Sequence, residues 1–214
     1  MLVTVKKPFT EIQEALAPYH AVGILGCADC AAVCQTGGSE QIKDMAQKLA
    51  EKEIVFSLSC EAPCDQRVAR RDLRRVVGLL AQAEAVLMLT CGIGVQSVGR
   101  VTDKVLIPGL NTMFPGSAAR IGEFYEFCQA CGDCLLAETA GLCPYALCPK
   151  GLLNGPCEGS EEGKCEAWAF ERDCVWHQIY ERLRNQARLG RFFQVRPASD
   201  WATRRTPRQM VPVR

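Results

Sequence analysis

Fourteen cysteines in 214 residues constrain this chain more than any other feature of its sequence. The N-terminus carries no basic and apolar leader, and no apolar run is long enough to span a bilayer, so we expect a cytoplasmic protein that does not contact membranes. In a reducing compartment, metal binding explains so many cysteines more readily than disulfides do. The cysteines are therefore the candidate functional residues.

Composition and charge argue against several classes of function. With 48% hydrophobic and 23% charged residues, the chain can bury a core and is not disordered. A net charge of +1 gives no general attraction to nucleic acid or to anionic lipid. Only His20 and His177 are available as histidine bases. Since no Ser-His-Asp set or carboxylate pair stands out, we assign no catalytic residues.

The charges are nevertheless segregated. Residues 121–181 hold three basic and eleven acidic residues, whereas residues 182–214 hold nine arginines and one acidic residue. The basic tail, residues 191–214, either folds back on the acidic segment, stays solvated, or grips a partner subunit. The arginines that would contact such a partner are Arg196, Arg204, Arg205 and Arg208.

Residues 1–120 alternate short apolar runs with longer polar stretches, which predicts an α/β domain with a Rossmann-like parallel sheet. Continuous apolar runs are typical of strands covered on both faces. We expect strands at residues 21–26, 54–59, 85–90 and 104–108, and helices at 39–52, with Ser39 as a cap, and at 65–82.

From residue 123 the strand pattern stops and the chain becomes rich in Cys, Gly and Pro. We expect residues 121–190 to form a small domain organised by metals, without an ordinary apolar core. One helix is predicted within it, at residues 173–188 and ended by Gly190, because the apolar residues there recur with helical spacing.

The sharpest motif is Cys128-x2-Cys131-x2-Cys134. This spacing lets one tight loop offer three thiolates to a 4Fe-4S cluster, although a tetrahedral zinc could use the same thiolates. Eight cysteines in this region suffice for two four-thiolate sites. Our division, in which Cys143, Cys148 and Cys174 could be exchanged, is Cys128, Cys131, Cys134 and Cys148 for one site and Cys143, Cys157, Cys165 and Cys174 for the other.

The other six cysteines lie in the α/β half. Cys27, Cys60 and Cys91 each follow a predicted strand. If the strands are parallel neighbours, these thiols meet at the carboxyl edge of the sheet, where such folds bind ligands. We expect a third metal cluster there, with free or redox-active thiols as the alternative; the neighbouring cysteines are Cys30, Cys34 and Cys64.

A glycine-rich stretch follows the last of the three strand-end cysteines. Gly92-Ile93-Gly94 follows Cys91 but does not complete a G-x-G-x-x-G motif, so a bound dinucleotide is not expected.

The C-terminal half resembles a known family. The segments that carry the resemblance are Cys143-Pro-Tyr-Ala-Leu-Cys148-Pro-Lys-Gly-Leu-Leu-Asn-Gly-Pro-Cys157, Gly163-Lys-Cys165-Glu and Asp173-Cys174-Val-Trp176. They are similar to the C-terminal domain of methylenetetrahydrofolate reductases. With the α/β half before it, nearly the whole chain resembles the cysteine-rich, non-flavin MetV-type subunits of the bacterial enzyme.

That resemblance implies a subunit of an oxidoreductase in the Wood-Ljungdahl pathway of one-carbon metabolism. It implies two or three 4Fe-4S clusters, with zinc at one four-thiolate site as a variant. It also implies a flavin-containing MetF-type partner that reduces methylenetetrahydrofolate to methyltetrahydrofolate, with electrons from ferredoxin or a larger electron-transfer complex. The alternative is a zinc-bound scaffold subunit without an electron-transfer role.

Overall fold

A computed structural model describes residues 1–204 and 206–210. The chain forms two compact units, Met1–Tyr125 and Glu126–Arg214. Among the described residues, no helix has the length and apolar character needed to cross a membrane. The elements up to the boundary are β1 (Leu2–Lys6), α1 (Phe9–Leu16), β2 (Ala21–Cys27), α2 (Cys30–Val33), α3 (Ser39–Lys48), β3 (Glu53–Cys60), α4 (Gln66–Arg74), α5 (Val77–Gln82), β4 (Ala85–Leu89), α6 (Gly92–Val98), β5 (Val105–Pro108), β6 (Leu110–Arg120) and β7 (Glu123–Glu126).

The first unit is built on the predicted parallel sheet. Its four strands lie in the order β3-β2-β4-β5, and each adjacent pair is parallel. Neighbouring residues of β2 pack into different apolar clusters, Ile24 into one and Leu25 into the other. Because both faces of the sheet are covered, its strands consist of continuous apolar runs and not of alternating apolar and polar residues. The prediction of an α/β fold is confirmed.

A second sheet, with the order β1-β6-β7, was not predicted. In it β1 runs antiparallel to β6, and Leu2 lies opposite Pro115. The expectation that strands stop at residue 123 is therefore wrong, since β7 begins there and a short hairpin follows at Ser160–Glu161 and Lys164–Cys165. Paired strands that lie more than a hundred residues apart in the chain produce no local pattern in the sequence.

Two details of the helices differ from expectation. Gly38, not Ser39, is the residue before α3, and its N–H donates to Gln41 Oε1 at 3.1 Å. The single helix predicted over residues 65–82 is two, because the chain leaves helical geometry at Val76. Two β-branched residues followed by Gly78 are weak helix formers, which explains the break.

The second unit contains α7 (Pro144–Leu147), the hairpin strands β8 (Ser160–Glu161) and β9 (Lys164–Cys165), and α8 (Val175–Asn185). Contrary to expectation it does have an apolar core. The inner face of α8, with Trp176, Ile179 and Leu183, packs against Ala140 and Leu142. The core was missed because half of it comes from residues that show no periodicity.

The C-terminal helix is confirmed, but it ends earlier than predicted. Ala187, with φ of +54°, takes the left-handed conformation just after α8, a role we had given to Gly190. The arginine-rich tail beyond it folds back onto its own unit. Of the four arginines predicted to face a partner, Arg196, Arg204 and Arg208 bond within the unit, whereas Arg205 lies outside the described residues.

Candidate functional site

The carboxyl edge of the parallel sheet carries the strand-end cysteines. Cys27 and Cys60 are the last residues of β2 and β3 and lie directly opposite each other in the register. Cys91 follows β4 by two residues and precedes α6. All three are at least nine-tenths buried. Parallel topology thus brings to one place three thiols that are separated by about thirty residues each in the chain.

Two more thiols lie near these three. Burial raises the pKa of the Cys27 thiol, and the charge of Cys30 adds to the increase. Burial also raises the pKa of Cys64, with further contributions from the charges of Cys91 and Cys30. Cys30 begins α2, three residues after the end of β2, and Cys64 lies between β3 and α4, so both follow strands at this edge. Five of the six predicted thiols therefore form one group, which we call the edge thiols: Cys27, Cys30, Cys60, Cys64 and Cys91.

Cys34, the sixth thiol, lies one helical turn after Cys30. It closes α2, where its N–H donates to the carbonyl oxygen of Cys30 at 3.0 Å. Its thiol donates to the carbonyl oxygen of Leu2, with the sulfur 3.9 Å from that oxygen. Its assignment as a ligand stays a prediction.

A buried carboxylate that the sequence analysis missed supports the edge. Asp72 in α4 is 1% exposed and accepts a hydrogen bond from the Glu61 N–H at 3.3 Å. Burial, followed by the hydrogen bond to Asp72, raises the pKa of Cys60 to about 12. Cys60 is therefore a protonated thiol in the metal-free chain, and a metal bound there has to release that proton.

The ion pair of Asp72 also leads to a prediction about the stability of the first unit. The Arg71 guanidinium, 2.8 Å away, lowers the pKa of Asp72, so the carboxylate stabilises the fold above its unfolded pKa of about 4. That contribution is lost as the pH falls through the lower folded pKa. We expect Asp72→Asn to cost about 2 kcal/mol at neutral pH, because the charge that pairs with Arg71 is lost and one of the two accepting oxygens becomes an NH2 group that cannot accept a hydrogen bond.

Urea unfolding of the first unit, followed by hydrogen exchange, measures this cost, which should shrink in acid. Asp44→Asn is the matched control, since the Asp44 side chain is partly exposed and, in the described part of the chain, its ion pair is with Lys48 at the surface. Equal costs for the two variants would contradict the role of Asp72.

Close backbone packing shapes the edge. The Cys27 N–H donates to Gly37 O at 2.9 Å. A Cβ on Gly37 would lie 1.9 Å from the carbonyl oxygen of Leu89, and one on Gly26 would lie 2.2 Å from Gly37 O. Both positions therefore require glycine. The loop that carries Cys30 can approach the strand ends only for this reason.

The three-cysteine loop, residues 128–134, opens the second unit. Cys128 and Cys134 are exposed, and Cys131 is half-buried. Left-handed residues at Ala130, with φ of +51°, and Gly132, with φ of +88°, turn the chain between the cysteines. The Ala130 N–H donates to Cys128 Sγ at 3.3 Å. Backbone donors aimed at sulfur are typical of loops that stabilise thiolates.

The five later cysteines surround α7 and α8. Cys143 precedes α7 and Cys148 follows it, while Cys174 precedes α8. Cys165 and Cys174 are buried in the core of the unit, and Cys148 packs against that core. Our division of the eight cysteines stays a prediction. The packing favours the exchange that the sequence left open, with Cys148 rather than Cys143 beside Cys165 and Cys174.

Cys157 has a cationic neighbour. The ammonium of Lys150 donates to Cys157 Sγ at 3.6 Å and also pairs with Glu166. Cys157 therefore has a cationic donor beside its sulfur.

The candidate ligands are grouped but not assembled. Within residues 1–204 and 206–210, no three or more Cys, His, Asp or Glu side chains adopt a geometry that could hold a metal ion. The donor chemistry still fits a thiolate-bound metal. Two buried arginine nitrogens near the three-cysteine loop, Arg196 Nε and Arg204 Nε, have no hydrogen-bond acceptor among those residues, and such donors suit an anionic group.

Comparison with known proteins gives one match. Residues 107–202 are similar to a family described as methylene-tetrahydrofolate reductase C terminal. This stretch contains all eight cysteines of the second half. The chain matches no curated protein and no solved structure. The match supports the resemblance that the cysteine motifs indicated.

Proposed function

We propose that this chain, whose residues 107–202 match the methylene-tetrahydrofolate reductase C-terminal family, is the non-flavin iron-sulfur subunit of such a reductase. The observation that carries the proposal is the gathering of the edge thiols from three separate strand ends. Three of the five are buried, and thiols drawn together from distant parts of a chain are typical of a metal site. Cys27 and Cys60 are also members of the two apolar clusters that cover the sheet, which holds their positions at the strand ends.

The chain's own residues would hold the clusters as follows. The edge thiols offer five candidate ligands for one cluster. The three-cysteine loop offers three for a second, and the later cysteines complete it and supply a further site. A bound 4Fe-4S cluster would accept and pass on single electrons. The Ala130 N–H and the buried arginine nitrogens would stabilise the negative charge of the thiolates.

The partner follows from the division of chemistry. Hydride transfer to methylenetetrahydrofolate needs an organic cofactor, and the thiol groups described above supply none. We propose that a flavin-containing MetF-type subunit carries out that step and receives its electrons from this chain. Ferredoxin, or a larger electron-transfer complex, would reduce the clusters.

Zinc is the second candidate for one site. Cys165 and Cys174 are buried in the apolar core of the second unit, with Cys148 packed against it. Closed four-thiolate sites at the centre of a small domain are typical of structural zinc. This observation favours zinc there without removing iron from the three-cysteine loop or the sheet edge.

Electron delivery to the partner tests the proposal. The full chain, purified without oxygen, is reduced with dithionite, desalted and mixed with a flavin-containing methylenetetrahydrofolate reductase subunit. We expect the two proteins to copurify and the flavin absorbance to bleach. The same chain stripped of metal by a chelator is the control. Flavin that stays oxidised with both preparations would contradict electron transfer and leave the zinc scaffold as the better account.

A further inference from the structure

The C-terminal tail makes contacts that neither the cysteine motifs nor the family match explains. Its arginines touch the residues that lie between the cysteines of the three-cysteine loop. Arg204 Nη2 donates to Gln129 Oε1 at 3.2 Å, and Arg208 Nη1 donates to Ala130 O at 3.1 Å. Arg196 Nη2 lies 3.6 Å from the carboxylate of Asp133. Three tail arginines thus contact both two-residue spacers of the motif.

The tail is fixed in this position by further contacts. The guanidinium of Arg204 lies 4.3 Å from the ring centroid of Trp201 and 5.6 Å from that of Tyr145, in cation–π geometry. The Tyr145 hydroxyl bonds to Ser199, and the two aromatic rings meet edge to face with their centroids 5.7 Å apart. A loosely attached basic tail would not make such specific contacts.

Arg196 anchors the other end of the tail. Its backbone N–H donates to Asn154 Oδ1 at 2.8 Å, and Asn154 Nδ2 donates to the Arg196 carbonyl at 2.9 Å. Its guanidinium pairs with Glu138 as well as Asp133. Planar guanidinium groups bind several acceptors at once, which lysine cannot do in the same way.

Two of these arginines have unused donors. Arg196 Nε and Arg204 Nε are buried, and in the described part of the chain neither has an acceptor. An unpaired buried donor costs free energy unless an acceptor is supplied. An anionic group held by the loop that both side chains contact would supply that acceptor.

We propose that the tail arginines form the cationic lining of the three-cysteine site, holding the loop in place and donating to the anionic cluster bound there. The inference rests on the proposed function, because it takes the bound group to be a thiolate-ligated cluster. Arg204 and Arg196 are positioning residues in this account. Cationic donors beside a cluster favour its reduced form, so they also set its reduction potential.

The test compares Arg204→Met with Arg191→Met in the full chain. Both remove one tail arginine, but among the contacts described the Arg191 side chain bonds only to Gln194 and does not touch the loop. We expect amide hydrogen exchange in residues 128–134 to rise about tenfold in the Arg204 variant, equivalent to about 1.4 kcal/mol. The cluster's midpoint potential should become more negative, and a chelator should remove iron faster.

Arg204→Lys is the conservative variant, which keeps the charge but not the planar stacking. Its midpoint potential should therefore be close to the native value, whereas amide exchange in residues 128–134 should remain raised. Exchange and potential that change equally in the Arg204→Met and Arg191→Met variants would overturn the proposal. Iron absent from the native chain would overturn both the cationic lining and the proposed function. If iron is present and only the tail effect is missing, the proposed function stands and this inference does not.

Discussion

Replacing Cys131 with Ala is expected to remove about four iron atoms per chain, the content of one 4Fe-4S cluster. Cys131 is the middle cysteine of the three-cysteine loop and the one least exposed of the three. Without it the loop offers two thiolates, too few to hold a cluster in the absence of rearrangement. Metal analysis of the anaerobically purified variant measures the loss.

The same substitution should destabilise the second unit, because metal binding and folding are coupled in small cysteine-rich domains. Trp168, Trp176 and Trp201 are the chain's three tryptophans, and all lie in that unit. Tryptophan fluorescence therefore reports its unfolding separately. Leu136→Ala is the control, since Leu136 lies two residues after the loop, is exposed and offers no ligand atom, so this variant should keep full iron. Unchanged iron in the Cys131 variant would rule out the loop as a cluster site.

Gly37→Ala should have the second-largest effect, a loss of about 3 kcal/mol from the stability of the first unit. The added Cβ would lie 1.9 Å from the backbone oxygen of Leu89, which cannot move without disturbing β4. Because Gly37 also accepts from the Cys27 N–H, the sheet edge should lose its iron together with its shape.

Gly78→Ala is the matched control for this variant. Nothing lies within 4 Å of a Cβ at Gly78, which is inside α5. Alanine is the better helix former, so this change should be neutral or stabilise by up to about 1 kcal/mol. Urea unfolding followed by far-UV circular dichroism distinguishes the two. Similar midpoints for the two variants would show that the close approach at the edge is not required.

The parallel sheet could be predicted because strands that are buried on both faces consist of continuous apolar runs in the sequence. Val22 and Leu87 lie in adjacent strands of that sheet as expected. The antiparallel sheet of β1, β6 and β7 could not be predicted. Its pairing joins the two ends of the first unit, and no local pattern in Leu2–Lys6 indicates which distant segment lies beside it.

The candidate site, like the fold, could be predicted only in part. Strand-end cysteines could be recognised because parallel topology places strand ends together, and Cys27 and Cys60 are register partners as a result. Asp72 and Gly37 could not, since their roles depend on distances to residues far away in the chain. The contacts of Arg204 with the three-cysteine loop were likewise unpredictable, because segregated charge indicates attraction but not which loop receives it.

The most direct test of the central claim is the iron and acid-labile sulfide content of the full chain purified without oxygen. If the thiol groups bind two or three 4Fe-4S clusters, iron and sulfide should be present in equal amounts, about eight to twelve of each per chain. Their visible absorbance should bleach on addition of dithionite. A preparation that holds zinc at every site, with neither iron nor sulfide, would contradict the account.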